Sequence, residues 1–305
     1  MKALKIIIVA LSLGMIVFSC KKEEALGSVD NIPGLGGDVW TPGPIDAWIF
    51  DTLTTPYNIE VKYKWDQSEL NNFFDKTVVP PMEEKVIPLM SSINKAWVKV
   101  YVEEAGALFF KRISPKFFYL VGSPIYVRGA VVLGFAEGGR KVVLSDINNF
   151  RIKGMPGYVL SDTDNVKRVF QTIHHEYAHI LDQNIKVPVE FSQSSAGSYT
   201  SDWLNLTPED AKNEGFISQY SISASIDDWA EMVSIMLVEG KGWFDQYVNS
   251  INYPGTTPNG TTAAVAQARL RQKEAVVISY FKQAWNIDFR SLQARSKKAI
   301  NALLY

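Results

Sequence analysis

The chain has 305 residues, of which 47% are hydrophobic and 21% charged, and its formal net charge is −1. That length supports one large domain or two smaller ones, each with a real core, and the balance is that of a globular protein. A near-neutral charge without a basic patch or a stacked-aromatic motif argues against nucleic acid as a partner.

The first residues read as a targeting segment. Lys2 and Lys5 form a basic start, and Ile6 to Phe18 an apolar run too short for a comfortable bilayer span. It ends at Val17-Phe18-Ser19-Cys20, which resembles a bacterial lipoprotein signal, although Phe18 is a less usual residue there. The resemblance implies removal of residues 1–19 and lipidation of Cys20, the sole cysteine of the chain. A single cysteine makes no internal disulfide, so a lipid gives it a purpose. Lys21-Lys22-Glu23-Glu24 resembles the surface-export signal of Bacteroidetes-type lipoproteins, which implies an outer-membrane lipoprotein facing the outside. Residues 20–45 hold several Gly and Pro with little periodicity and read as a lipidated Cys with a flexible tether. The folded domain is expected over 46–305.

Within it, Ile59, Val61, Tyr63 and Trp65 alternate with period two, as in a half-buried strand over 57–65. Residues 83–110 carry a helical stripe of Val86, Leu89, Met90, Ile93, Trp97 and Val100, with Pro88 marking a break or a kink. Residues 117–127 are apolar and β-prone. The runs 130–136 and 141–145 flank Glu137-Gly138-Gly139-Arg140, a hairpin signal. Later come a helix start at Thr207-Pro208-Glu209-Asp210, a helix over 226–239 opened by a capping box of Ser225 and Asp228, and helices over 264–285 and 292–304.

Between the hairpin and these helices lies Thr172-Ile173-His174-His175-Glu176-Tyr177-Ala178-His179-Ile180-Leu181-Asp182. Ser161 to Asp164 supply N-cap candidates and first-turn acids. Val166, Val169, Phe170, Ile173, Tyr177, Ile180 and Leu181 then fall on one stripe at about 100° per residue, with His175 and His179 roughly opposite. All three histidines of the chain lie here. In His-Glu-x-x-His, two imidazoles four residues apart on one helix face can hold one metal ion, and the Glu between them can handle a proton. His174 points elsewhere, into packing or a supporting hydrogen bond.

A catalytic zinc takes three protein ligands and keeps a position open. With no further histidine and the only cysteine expected to be lipidated, the third ligand must be a carboxylate, which excludes the three-histidine metzincin pattern. Glu231, in Asp227-Asp228-Trp229-Ala230-Glu231, is the best candidate. Its rivals are Asp182, better placed to hydrogen-bond a ligand than to ligate; Asp228, which can cap its helix or hold a ligand histidine; and Asp227, which favours the helix N-terminus.

His175-Glu176-Tyr177-Ala178-His179 followed by Asp228-Trp229-Ala230-Glu231 resembles a gluzincin. The chain is most similar to the zinc metallopeptidase lipoproteins associated with nutrient import in Bacteroidetes, and Ala47-Trp48-Ile49 through Pro56-Tyr57-Asn58-Ile59-Glu60-Val61 resembles that family's N-terminal segment. The resemblance implies a zincin-like α+β domain: a mixed sheet, the motif helix, then a mainly helical part. It implies Zn2+ on His175, His179 and Glu231, with Glu176 as catalytic base. As partners it implies a peptide or glycopeptide substrate, a TonB-dependent transporter and that transporter's substrate-binding lipoprotein. In zincin-type peptidases an edge strand before the motif helix binds an extended substrate by strand addition, and 142–145 is the candidate here. In lethal-factor-like gluzincins a Tyr before the ligand Glu steadies the oxyanion, and Tyr220 is the candidate, 11 residues before Glu231. The expected function is a surface zinc hydrolase, first of all a peptidase. The alternative is a non-catalytic accessory lipoprotein that binds substrate for a transporter, since fold and motif do not prove turnover.

Overall fold

The computed structural model describes residues 41–64, 78–127, 130–132, 134–137 and 141–305. The leader, Cys20 and most of the tether lie outside these residues, as does Trp65 at the end of the first expected strand. Residues 44–305 form one unit, and it is α+β as expected: a small sheet near the start and long helices after it.

Helix α1, Pro44–Ile49, runs on through a wide turn at Phe50–Thr54 and a last turn at Thr55–Tyr57. Asn58 ends it in the left-handed conformation (φ 57°), which Asn tolerates better than most side chains. Strand β1 is therefore confined to Glu60–Lys62, shorter than the alternation over 57–65 predicts. Helix α2, Glu83–Ile93, passes through a wide turn at Asn94–Val98 into α3, Lys99–Ala105. Pro88 does not break this run, whose carbonyl at that position accepts the Ser92 hydroxyl at 2.8 Å. The stop is Gly106, at φ 88°, after which α4 spans Ala107–Ile113.

The strands that follow are β2 (Phe117–Leu120), β3 (Ile125–Val127), β4 (Ala130–Val132), β5 (Gly134–Glu137) and β6 (Lys141–Leu144). Three of them join β1 in a four-stranded sheet of order β1-β2-β6-β5, parallel except for β5, while β3 and β4 pair separately. The expected hairpin is thus β5–β6, with Glu137 opposite Lys141 and Gly134 opposite Leu144. This corrects the substrate-strand expectation at 142–145. β6 has a strand on either side and every residue buried, so its backbone is already paired; the antiparallel edge is β5. A parallel strand covered on both faces reads as an unbroken apolar run, which is why Val142-Val143-Leu144 gives no sign of which edge is free.

Helix α5, Asp162–Asn184, carries the histidines. All seven residues of its predicted apolar stripe are buried. Tyr177 sits edge-on to Trp97 (5.3 Å between centroids) and Tyr101 (4.9 Å), and Phe110 and Phe118 close the same aromatic cluster around Trp97. Arg151 grips Asp162 through two hydrogen bonds of 2.8 and 2.9 Å and fixes the helix start. Short helix α6, Pro208–Asn213, opens with a complete Thr207–Asp210 capping box and Pro at its first turn.

Helix α7, Ser225–Asn249, packs along α5 and is interrupted at Gly240 (φ 81°). Two contacts pin the pair. The Trp229 indole donates to the Ala178 carbonyl at 3.3 Å, and Lys167 pairs with Glu239 at 3.0 Å further along. The capping box expected of Ser225 and Asp228 is not formed: the N-cap is Ala224, and the Asp228 side chain turns into the core. Helices α8 (Ala263–Trp285) and α9 (Phe289–Leu304) follow, capped by the side chains of Thr262 and Asp288.

Candidate metal centre

Because α5 and α7 lie side by side, the middle of one meets the first turns of the other. The Nε2 atoms of His175 and His179 are 3.1 Å apart. Asp227, in the first turn of α7, brings its Oδ1 to 3.9 Å from the former and 3.7 Å from the latter. Ligand atoms of these three side chains all lie within 4.8 Å of one another, and no other such group of potential ligands occurs among the described residues. The Ser223 hydroxyl donates to the other oxygen of Asp227 at 3.0 Å, which turns Oδ1 toward the histidines.

Glu231 stands on the far side of His175. Its Oε1 is 2.8 Å from His175 Nδ1, while Oε2 accepts from the Ser218 hydroxyl at 2.6 Å and from Gln171 at 3.5 Å. The residue expected from the sequence as third ligand therefore lies outside the three-residue group, and the carboxylate one turn before it lies inside. An ionised carboxylate only accepts, so Nδ1 of His175 carries a proton toward Glu231, and Nε2 is the ring atom on the side of His179 and Asp227. Convergent ring nitrogens with a carboxylate, one imidazole held from behind by a second carboxylate, is a donor set that fits zinc.

Burial alone would lower the basicity of His175, but the Glu231 hydrogen bond and the charges of Glu231, Glu176 and Asp227 outweigh it, so its pKa is raised. His179 goes the other way, lowered to about 4 by burial and then by the His175 charge. Glu176, next to His175 on the helix, is half-buried, and its charge acts on both His175 and Tyr220. The Tyr220 ring stacks on His175 (5.8 Å, 28°), with the charges of Asp227, Glu176 and Glu231 acting on its hydroxyl. Burial and these carboxylates push the phenol pKa up, so Tyr220 remains a donor throughout the neutral range.

The other acids are engaged elsewhere. Asp182 accepts from the Val187 amide at 3.0 Å and from Lys186 at 2.6 Å, and so shapes the chain leaving α5. Asp228 is fully buried, 2.7 Å from the equally buried Lys273, and accepts from the Tyr199 hydroxyl at 2.9 Å. Desolvation pushes both members of this pair toward their neutral forms. His174 is sealed between the Tyr101 hydroxyl and the Ser296 hydroxyl behind the helix, and burial lowers its pKa to about 3. The sequence gives no sign of Ser218 or Gln171, and it offers Asp227 as a rival ligand with a helix-end role as the simpler reading. The available signal was the spacing: Asp227 and Glu231, one turn apart, share the face that meets α5.

Residues 38–290 match the family described as "Putative zinc-binding metallo-peptidase". The chain belongs to this family. A solved structure described as a "putative zinc-binding metallo-peptidase" from Bacteroides caccae shares 26% identity with this zinc-binding metallopeptidase homologue, with a TM-score of 0.65 over 85% of this chain and 92% of that one. No curated protein matches it. The zinc expected from the sequence is thus also the metal of the family, and the α+β fold is shared with a solved relative.

Proposed function

We propose that this chain is a zinc hydrolase of the His-Glu-x-x-His type that cuts peptide bonds, with His175, His179 and Asp227, in place of the Glu of a gluzincin, as metal ligands and Glu231 holding His175. The observation that carries this reading is the meeting of two imidazole Nε2 atoms and the Asp227 carboxylate over the face that also bears Glu176. Bound zinc supplies a Lewis acid and lowers the pKa of water toward about 7. Glu176 takes the proton from the attacking water and returns it to the leaving amine. Tyr220 donates its hydroxyl to the developing oxyanion. An extended peptide adds to β5, the edge strand of the sheet among the described residues, whose Gly134 backbone lies against Thr172 on α5.

The leader and the Lys21–Glu24 charge run support a lipid on Cys20 and a place at the outer-membrane surface, beside the uptake machinery that would consume the products. The test is elemental analysis of residues 21–305 together with hydrolysis of a mixed peptide library. One zinc per chain and cleavage are expected. Glu176→Gln is expected to keep the zinc and lose at least about 10²-fold in rate. A wild type that holds no zinc after reconstitution would overturn the reading.

A further inference from the structure

Beside the metal group two aromatic rings meet, and only one of them, Tyr220, has a part in the chemistry proposed above. Trp203 sits in a short turn, Trp203–Asn205, and Tyr220 in another, Tyr220–Ile222. The Gln219 amide joins the two turns by donating to the carbonyls of Trp203 (3.0 Å) and Leu206 (2.6 Å). With the turns fixed, the indole stands at 64° to the Tyr220 ring, 5.0 Å between centroids. Tyr220 in turn stacks on His175. Three rings thus lead outward from the metal group. Tyr220 keeps 39% of its surface exposed, and Leu204, next to Trp203, and Ile226, next to Asp227, keep 45% and 39%.

We infer that Trp203 and Tyr220 form a specificity corner that takes one large apolar side chain of the peptide, at a residue flanking the scissile bond. This rests on the peptidase reading above and adds the side-chain preference. Two rings meeting at a steep angle make a corner that encloses a single compact side chain, whereas the flat face of a sugar ring is matched by a flat aromatic platform. The exposed side chains next in sequence to Trp203 and Asp227, Leu204 and Ile226, are aliphatic, which favours an apolar occupant over a charged one. The corner is rigid because Gln219 fixes both turns, so little ordering is left for binding to impose.

The experiment measures, by calorimetry on the zinc-loaded protein, the affinity of a benzyl-bearing amino-acid hydroxamate and of its glycine counterpart. A preference for the benzyl probe of at least about ten-fold is expected, since enclosing an apolar group is worth that much in a fitted pocket. Trp203→Ala is expected to abolish the preference while leaving affinity for the glycine probe and zinc content unchanged. Gln219→Ala, which frees the turn without altering either ring, is expected to reduce it. Equal affinity of the wild type for both probes overturns the corner whatever the variants do. So does a preference that survives in both variants, or a zinc-loaded protein that binds neither probe. A protein that holds no zinc overturns the peptidase reading itself, and the corner with it.

Discussion

Replacing Asp227 and Glu231 of α7 in turn separates the proposed metal ligand from the group that holds one. Four-ligand zinc sites bind with about 10–16 kcal/mol, roughly 3–4 kcal/mol per ligand. Asp227→Asn, which removes the charge that sits 3.7 and 3.9 Å from the two Nε2 atoms, is therefore expected to weaken zinc binding by roughly 10²–10³-fold. Glu231→Gln leaves an oxygen able to accept from His175 Nδ1 at the observed 2.8 Å. It is expected to cost near the lower end of the roughly 10–100-fold typical of groups that support a ligand. Zinc affinity is read by competition with a chromophoric chelator at fixed pH, with circular dichroism to confirm that both variants fold. A Glu231→Gln loss equal to or larger than that of Asp227→Asn would refute the reasoning and restore Glu231 as the ligand.

Three further outcomes follow from the surroundings of the site. His174 has a pKa of about 3 in the fold against about 6.5 when exposed. The unfolded chain therefore binds the extra proton, and stability falls as pH drops from about 6.5 toward 3, by at most about 1.4 kcal/mol per pH unit. Urea titrations of wild type and His174→Gln should show a shallower slope in the variant, and identical slopes would contradict the assignment. Lys273→Met strands the buried Asp228 and is expected to cost about 3–5 kcal/mol in denaturant unfolding; a loss below about 1 kcal/mol would mean that Asp228 is already carried neutral. A Cβ on Gly134 would stand 2.5 Å from the Val143 carbonyl oxygen and 2.6 Å from Thr172 Cγ2. Gly134→Ala is thus expected to push β5 off α5, costing about 1–3 kcal/mol and raising KM for peptides with zinc content unchanged. An unaltered KM would separate β5 from substrate binding.

The motif helix was legible because its apolar stripe and its histidines occupy opposite faces, and every member of the stripe is buried. Helices α8 and α9 were legible for the same reason, apart from a few residues at their starts. Strand neighbours were less so. The run 141–145 is apolar whichever edge is free, and only long-range pairing makes β6 interior and β5 the edge. Asp228 was taken for a cap because a Ser three residues earlier completes the pattern. The pattern carries no information about Lys273, which arrives from α8 to draw that carboxylate inward. The exchange between Asp227 and Glu231 has a similar origin. Both face α5, and which one reaches Nε2 and which Nδ1 depends on how far α7 is slid along α5, a quantity fixed by contacts such as Trp229 on Ala178.

The family match ends at residue 290, while α9 runs from Phe289 to Leu304. Ser296 on that last helix meets His174, the Gln293 amide donates to the Met236 carbonyl at 2.8 Å, and the Leu303 and Leu304 carbonyls accept from Lys153 and Tyr158. A fragment cut at the boundary of the recognised family region would keep every candidate ligand and the proposed base. It would also lay bare the back of both helices that carry them, with Leu292 and Ile300 gone from the core. The length over which this family is recognised is therefore shorter than the length that must be expressed for its site to stand.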